Sequence, residues 1–182
     1  MKDVISKISK LFNDNNVVWA LGASLVLKHY GLTSTANDID ILVSKETLDH
    51  AVTCLDKLGK GDQIPMDDFY KTDIIYNYLI DGVEVDLICG FKVLKENLFV
   101  YDFDKHNITS VDSTSGEDVY YTSLEEWLLL YDVLGRESKV ELIKSYIETN
   151  GLNNKKLLDE LLRINEKSIS SELLLWLKDI VK

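Results

Sequence analysis

Cysteine is scarce, proline is nearly absent, and no stretch of the chain stays apolar for long. Cys54 and Cys89 are too few and too casually spaced for a disulfide framework or a zinc site. Both lie among apolar neighbours, which predicts buried thiols in a reducing compartment. No run approaches the roughly 20 apolar residues that a membrane span requires. The N-terminal MKDVISKISKLF alternates charge with apolar residues and has no uninterrupted apolar segment of the signal-peptide kind. A cytoplasmic protein with no membrane partner is therefore expected. Basic residues are also in deficit, with 20 Lys and Arg against 31 Asp and Glu, a net charge of -11. That balance disfavours a surface built to neutralise a long nucleic acid, although it leaves room for a local basic groove. A small or cationic partner fits more easily.

What is present is an ordinary globular composition, 46% apolar and 28% charged over 182 residues, enough for one well-buried core with or without a small helical appendage. The acidity is uneven. Nine basic and eleven acidic residues follow position 121, which leaves eleven and twenty before it. The pattern changes at the same place: the first part mixes helices and strands, and from Ser123 onward apolar residues recur only at helical spacing. The expected division is 1–121 as a catalytic core and 122–182 as a helical C-terminal region.

Val4, Ile5, Ile8, Leu11 and Phe12 predict a helix over about 2–13, stopped by Asn13-Asp14-Asn15-Asn16. Val17 to Leu21 reads as a strand buried on both faces, Ala23 to Tyr30 as a short helix and Asp38 to Val43 as a second strand. Ser44 is a natural N-cap for a helix reaching Gly59. Asp73–Ile80 and Val83–Ile88 form a hairpin across Asp81-Gly82, a strong short-turn signal. The pattern from 61 to 70 is weak and from 92 to 121 weaker still; it reads as helix then strand over Val93–Val100, a polar loop over 112–118 and a short strand at Val119–Tyr121. Four helices follow, the first capped by Ser123.

The chemistry gathers in 17–43. Alternate strand residues share a face, so Asp38 and Asp40 present two carboxylates together, separated from Gly22-Ala23-Ser24 by the thirteen residues 25–37. Asp86 adds a third in mid-strand, where apolar or β-branched side chains are preferred. Two or three hard carboxylate ligands suffice for magnesium, which keeps waters and phosphate oxygens in its shell, and a metal pair can stabilise both the entering and leaving oxygens of an in-line displacement. Gly22 permits a tight turn beside a phosphate, the start of the following helix favours an anion, and Ser24 adds a hydroxyl.

With these residues the sequence resembles the nucleotidyltransferase superfamily of the DNA polymerase β type. Leu21-Gly22-Ala23-Ser24, Asp38-Ile39-Asp40-Ile41 and Val85-Asp86-Leu87 match its signature elements, most closely in small bacterial members such as antibiotic nucleotidyltransferases and abortive-infection-type toxins. Ser123–Glu126 through Leu134–Glu137 is similar to the helix that follows the catalytic sheet. The resemblance implies an α+β fold with a mixed, twisted sheet flanked by helices. It implies transfer of NMP from an NTP such as ATP, with two Mg²⁺ ions and pyrophosphate release. Asp38, Asp40 and Asp86 would be metal ligands and catalytic groups, and Gly22, Ala23 and Ser24 the nucleotide contacts. The acceptor would be a small molecule in preference to tRNA or a protein hydroxyl; a regulatory module that binds nucleotide without turnover is the alternative. Two departures stand out: Ala23 occupies a position usually held by Gly or Ser, and the loop Leu32–Asn37 lacks a basic residue.

Around this core, Glu84 is either a fourth ligand or an exposed strand residue. Lys28, Arg136 and Lys139 are candidate phosphate or acceptor contacts that could equally be surface charges. His29 and His106 are not needed as bases beside a metal pair. Trp127 and Trp176 are expected in the core before they are expected under a nucleobase.

Overall fold

A computed structural model describes residues 1–113 and 116–180. The 112–118 loop expectation lies partly outside them, at residues 114 and 115. Helix α1 (Lys2–Asp14) leads into β1 (Trp19–Leu21), α2 (Ala23–His29) and β2 (Ile39–Val43). A 3-10 turn at Lys45–Thr47, with Ser44 at its N-cap, precedes α3 (Leu48–Leu55). Strands β3 (Gly61–Gln63), β4 (Ile74–Ile80), β5 (Val83–Cys89), β6 (Phe91–Leu94), β7 (Leu98–Tyr101), β8 (Ser110–Asp112) and β9 (Val119–Tyr121) follow. The chain then continues as α4 (Leu124–Val133), α5 (Glu137–Asn150), α6 (Lys155–Asn165) and α7 (Ser171–Ile180).

Seven strands form one mixed sheet in the order β3-β4-β5-β2-β1-β9-β8, and β6 and β7 make a separate hairpin. The mixed pairing follows from the connections. The tight Asp81-Gly82 turn can only return antiparallel, whereas α3, β3 and β4 intervene before β5 runs parallel to β2. Both turn residues have positive φ, 50° and 77°, the backbone that such a two-residue hairpin needs.

Strand alternation divides the core in two. Trp19, Leu21, Ile39, Ile41, Val43, Val85 and Leu87 pack with α1 and α3 on one side of the sheet. Ala20, Leu42 and Ile88 meet the other cluster, with Phe99 of β7, Leu128 of α4, Ile143 of α5 and Leu158 of α6. That second cluster crosses the 121/122 boundary, so the helical region closes over one face of the sheet. Asp38, Asp40 and Asp86 share the parity of that face.

Sequence periodicity missed three elements. Val93–Val100 is strand, turn and strand, because Val93 pairs with Phe99 in the β6–β7 ladder and both are fully buried under α6. β3, whose residues are Gly61, Asp62 and Gln63, is a polar edge strand held by pairing to β4. β8 similarly exists through its ladder with β9. Among the described residues no helix is long and apolar enough to cross a membrane.

Candidate active site

The turn after β1 is fixed from two sides. The Gly22 N–H donates to the Asp40 carbonyl (2.9 Å), tying the turn to the strand that carries the carboxylates. A Cβ on Gly22 would stand 2.5 Å from Cζ2 of Trp127, whose ring is only 3% exposed. Trp127 is itself anchored: its Nε1–H donates to Thr122 Oγ1 (2.8 Å), and that hydroxyl donates to the Leu21 carbonyl (3.3 Å). The start of α4 therefore braces the turn, helped by a reciprocal cap in which the Glu126 N–H donates to Ser123 Oγ and the Ser123 N–H to Glu126 Oε2.

Ala23 has φ +45°, the left-handed region where a Cβ costs about 1–2 kcal/mol. The turn demands the backbone that a glycine would adopt more easily, and alanine adopts it under strain. An Ala23→Gly chain should unfold at the same temperature or up to about 4 °C higher, since relief of strain is partly offset by the freer unfolded glycine. Calorimetric melting checks this; a clear loss of stability would mean that Ala23 is unstrained. Ser24 Oγ is shielded from solvent and has no hydrogen-bond partner among the described residues. At seven residues, α2 is too short for its dipole to matter much, so the Ser24 hydroxyl is the more distinctive feature.

Parallel pairing of β2 with β5 sets Asp40 directly beside Asp86. Burial, then the nearby Asp38 and Asp86 carboxylates, push the half-buried Asp40 up to about 7, against a smaller opposing pull from Lys139. Burial also raises Asp86, opposed by a hydrogen bond that Asn77 Nδ2 donates to its Oδ1 (2.7 Å). Asn77 did not stand out from composition or periodicity, yet the turn encodes its place. With Ile80 opposite Val83, counting back along the hairpin brings Asn77 opposite Asp86.

The three carboxylates line a cleft of about 780 Å³ together with Ala23, Ser24, Tyr131 and, from the start of α5, Arg136 and Lys139. Tyr131, also not foreseen, has its hydroxyl pushed upward by burial and then by the Asp40 and Asp38 carboxylates. Lys139 Nζ donates to that hydroxyl (3.4 Å) and lies 4.6 Å from the ring centroid. The basic residues that the Leu32–Asn37 loop lacks thus enter the cleft from the helical region. Among the described residues no group of three His, Cys, Asp or Glu is arranged to hold a metal ion by itself.

Other candidates stand elsewhere. Lys28 is exposed on α2. His29 stacks on Tyr121 (4.1 Å) and lies 3.0 Å from Ser110 Oγ, with burial lowering its pKa. His106 sits on the 3-10 turn Lys105–Asn107. Glu84 is exposed and acts on Asp86 only through its charge. Trp176 is half-buried and donates to Glu148 Oε1 (2.8 Å).

The mixed seven-stranded sheet flanked by helices is the fold of solved nucleotidyltransferase structures. The chain is similar in structure to a putative nucleotidyltransferase from Thermotoga maritima, with TM-score 0.63, 21% identity, and 81% of this chain and 92% of that one covered. It is also similar to ANT(2'')-Ia, solved in complex with adenylyl-2''-tobramycin (TM-score 0.56, 13% identity, 91% and 96% covered). A third similar structure is the lincosamide antibiotic adenylyltransferase LnuA, solved with lincomycin bound (0.54, 13%, 80% and 97%). No protein-family model and no curated protein matches the chain.

Proposed function

We propose that this protein is a magnesium-dependent nucleotidyltransferase that moves an NMP from an NTP, ATP among the candidates, to an acceptor hydroxyl and releases pyrophosphate. The observation that carries the reading is the convergence in one cleft of Asp38, Asp40 and Asp86 with Arg136 and Lys139 and the Gly22 turn. A small-molecule acceptor fits the acidic chain best, and two of the similar structures are named for antibiotic substrates or products.

The donor set suits magnesium. Asp38 and Asp40 offer hard oxygens that make no hydrogen bond or ion pair among the described residues, and their mutual repulsion is what a cation would offset. Because the carboxylates do not form a closed ligand set, phosphate oxygens and water would complete the shell, as magnesium commonly requires. When bound, magnesium neutralises triphosphate charge and polarises the reacting phosphorus centre.

The remaining work falls to the chain. Ser24 Oγ donates to a phosphate oxygen, giving that buried hydroxyl a partner. Arg136 and Lys139 hold the triphosphate from α5, and Asp86 receives the proton of the attacking hydroxyl. As the new acceptor O–P bond forms at the α-phosphorus, the bond to the bridging oxygen breaks and pyrophosphate leaves with the electron pair.

Incubation with Mg²⁺, mixed NTPs and a panel of acceptors should yield an acceptor heavier by one NMP in the mass spectrum. Nucleotide binding with neither adduct nor pyrophosphate would favour the regulatory module instead. Arg136→Ala and Lys139→Ala should each weaken binding of the magnesium nucleotide about tenfold or more, the value of one charge-assisted contact. Isothermal titration reads this directly, and unchanged affinity in both variants would remove α5 from the nucleotide site.

A further inference from the structure

Asp86 borders two hollows. Besides the nucleotide cleft, it lines a second space of about 310 Å³ walled by Ile64, Pro65, Met66 and Ile75. Tyr70 and Ile75 are common to both, so the hollows meet along a short apolar partition with Asp86 at the junction. A catalytic carboxylate that faces nucleotide on one side and an apolar recess on the other can touch both reactants.

We propose, on the basis of the nucleotidyltransferase reading, that this second hollow is the acceptor subsite. The acceptor it takes is a hydroxyl compound with an apolar or aromatic group beside the hydroxyl and no negative charge. The wall chemistry sets the first requirement. Ile64 is 40% exposed, and with Pro65 and Met66 it presents apolar surface that an apolar ring would remove from water.

Charge sets the second. No Lys or Arg lines the hollow, and its charged groups are Asp86 and Asp67. Asp67 is turned back on its own loop, where its Oδ1 accepts the N–H groups of Phe69 (2.8 Å) and Tyr70 (2.6 Å). An anion would meet two carboxylates and no cation in the wall, the nearby Lys71 being engaged by the Asp67 carbonyl (2.9 Å) and the Asp68 carboxylate (3.5 Å). Asn77 also lines this space and donates to Asp86 Oδ1, which leaves Oδ2 for the acceptor. The acceptor O–H then gives its proton to Asp86 while its oxygen forms the new bond to phosphorus and pyrophosphate departs with the bond it breaks. Asn77 is a positioning residue in this scheme.

The chain contains two methionines, Met1 and Met66, so methyl-labelled methionine provides a nearly private reporter of the hollow. Phenyl β-glucoside should shift the Met66 methyl resonance and leave Met1 in place. Glucose and 4-carboxyphenyl glucoside should each need about tenfold more ligand for the same shift, the first lacking the ring and the second carrying the wrong charge. Ile64→Glu should weaken phenyl glucoside by about the same factor while binding magnesium nucleotides with parental affinity, which also certifies that the variant is folded.

Magnesium nucleotide binding with no Met66 response to any probe would overturn the subsite and leave the nucleotidyltransferase reading standing. Preference for the carboxylated probe would overturn the charge requirement and the proposal with it. A Met66 response in a chain that binds none of the four magnesium nucleoside triphosphates would overturn the acceptor role through the failure of the reading beneath it.

Discussion

Replacing Asp40 by asparagine is expected to lower nucleotidyl transfer roughly 10³-fold or more, the loss of several kcal/mol of transition-state stabilisation, while leaving the metal-free chain at least as stable as its parent. The two effects have one origin. Asp40 is lifted to about 7 by burial and by its carboxylate neighbours, and it makes no hydrogen bond among the described residues that asparagine would break. An acid whose folded pKa lies above its unfolded value binds more protons when folded, so it destabilises the protein increasingly as pH rises from about 4 through 7. Asparagine removes that penalty. The gain in melting temperature should therefore be largest near pH 8 and vanish towards pH 4. Parental transfer rates in the variant would sink the catalytic assignment, and a lower melting temperature at pH 8 would show that Asp40 holds the fold together.

The second large effect lies behind the site, at Glu126. This side chain is 1% exposed, and burial pushes it up to about 7 although it accepts hydrogen bonds from the Ser123 N–H, Tyr101 Oη (2.8 Å) and Asn107 Nδ2 (2.7 Å). Its contribution is fully present below the unfolded carboxylate pKa and is lost as pH climbs through 7, a change of roughly 3 kcal/mol. Urea unfolding of the metal-free protein should show stability falling between pH 5 and 8. Glu126→Gln should flatten that fall, although the glutamine NH2, a donor, replaces one of the two oxygens that accept from the Ser123 N–H, Tyr101 and Asn107, and so will lower stability at pH 5, where the parent keeps all three bonds. An unaltered pH slope in the variant would show that Glu126 does not titrate in this range. Since Glu126 caps the helix that carries Trp127, its protonation bears on the brace behind the Gly22 turn.

Much of the architecture was legible because the local signals were strong. Asp81-Gly82 announced its hairpin, Ser123 announced its capped helix, and apolar periodicity located α1 and the four C-terminal helices. The nucleotidyltransferase fold followed from the family resemblance that Gly22, Ser24, Asp38, Asp40 and Asp86 carry. What escaped was held by pairing instead of by composition. Gly61, Asp62 and Gln63 have no intrinsic reason to be extended apart from their ladder with β4, and the first half of Val93–Val100 reads as helix until it is paired with the strand that follows. At the site, Tyr131 looked like one more apolar position on α4. Arg136 and Lys139 were visible as candidates, yet only the packing of α5 over the sheet distinguishes them from Lys28, which points into solvent. Asn77 was recoverable in principle by counting registers across the hairpin.

That hairpin has a wider consequence. Asp86 takes its address from β2, through the pairing that puts it beside Asp40, and its orientation from β4, through the Asn77 hydrogen bond. Location and aim are thus written in two separate ladders that happen to share one strand. A two-residue slip of β4, set by a length change in the exposed Asp81-Gly82 turn, would replace the residue that steers the carboxylate while its address stayed put, so the working angle of the site is open to variation from a surface turn four residues before Asp86.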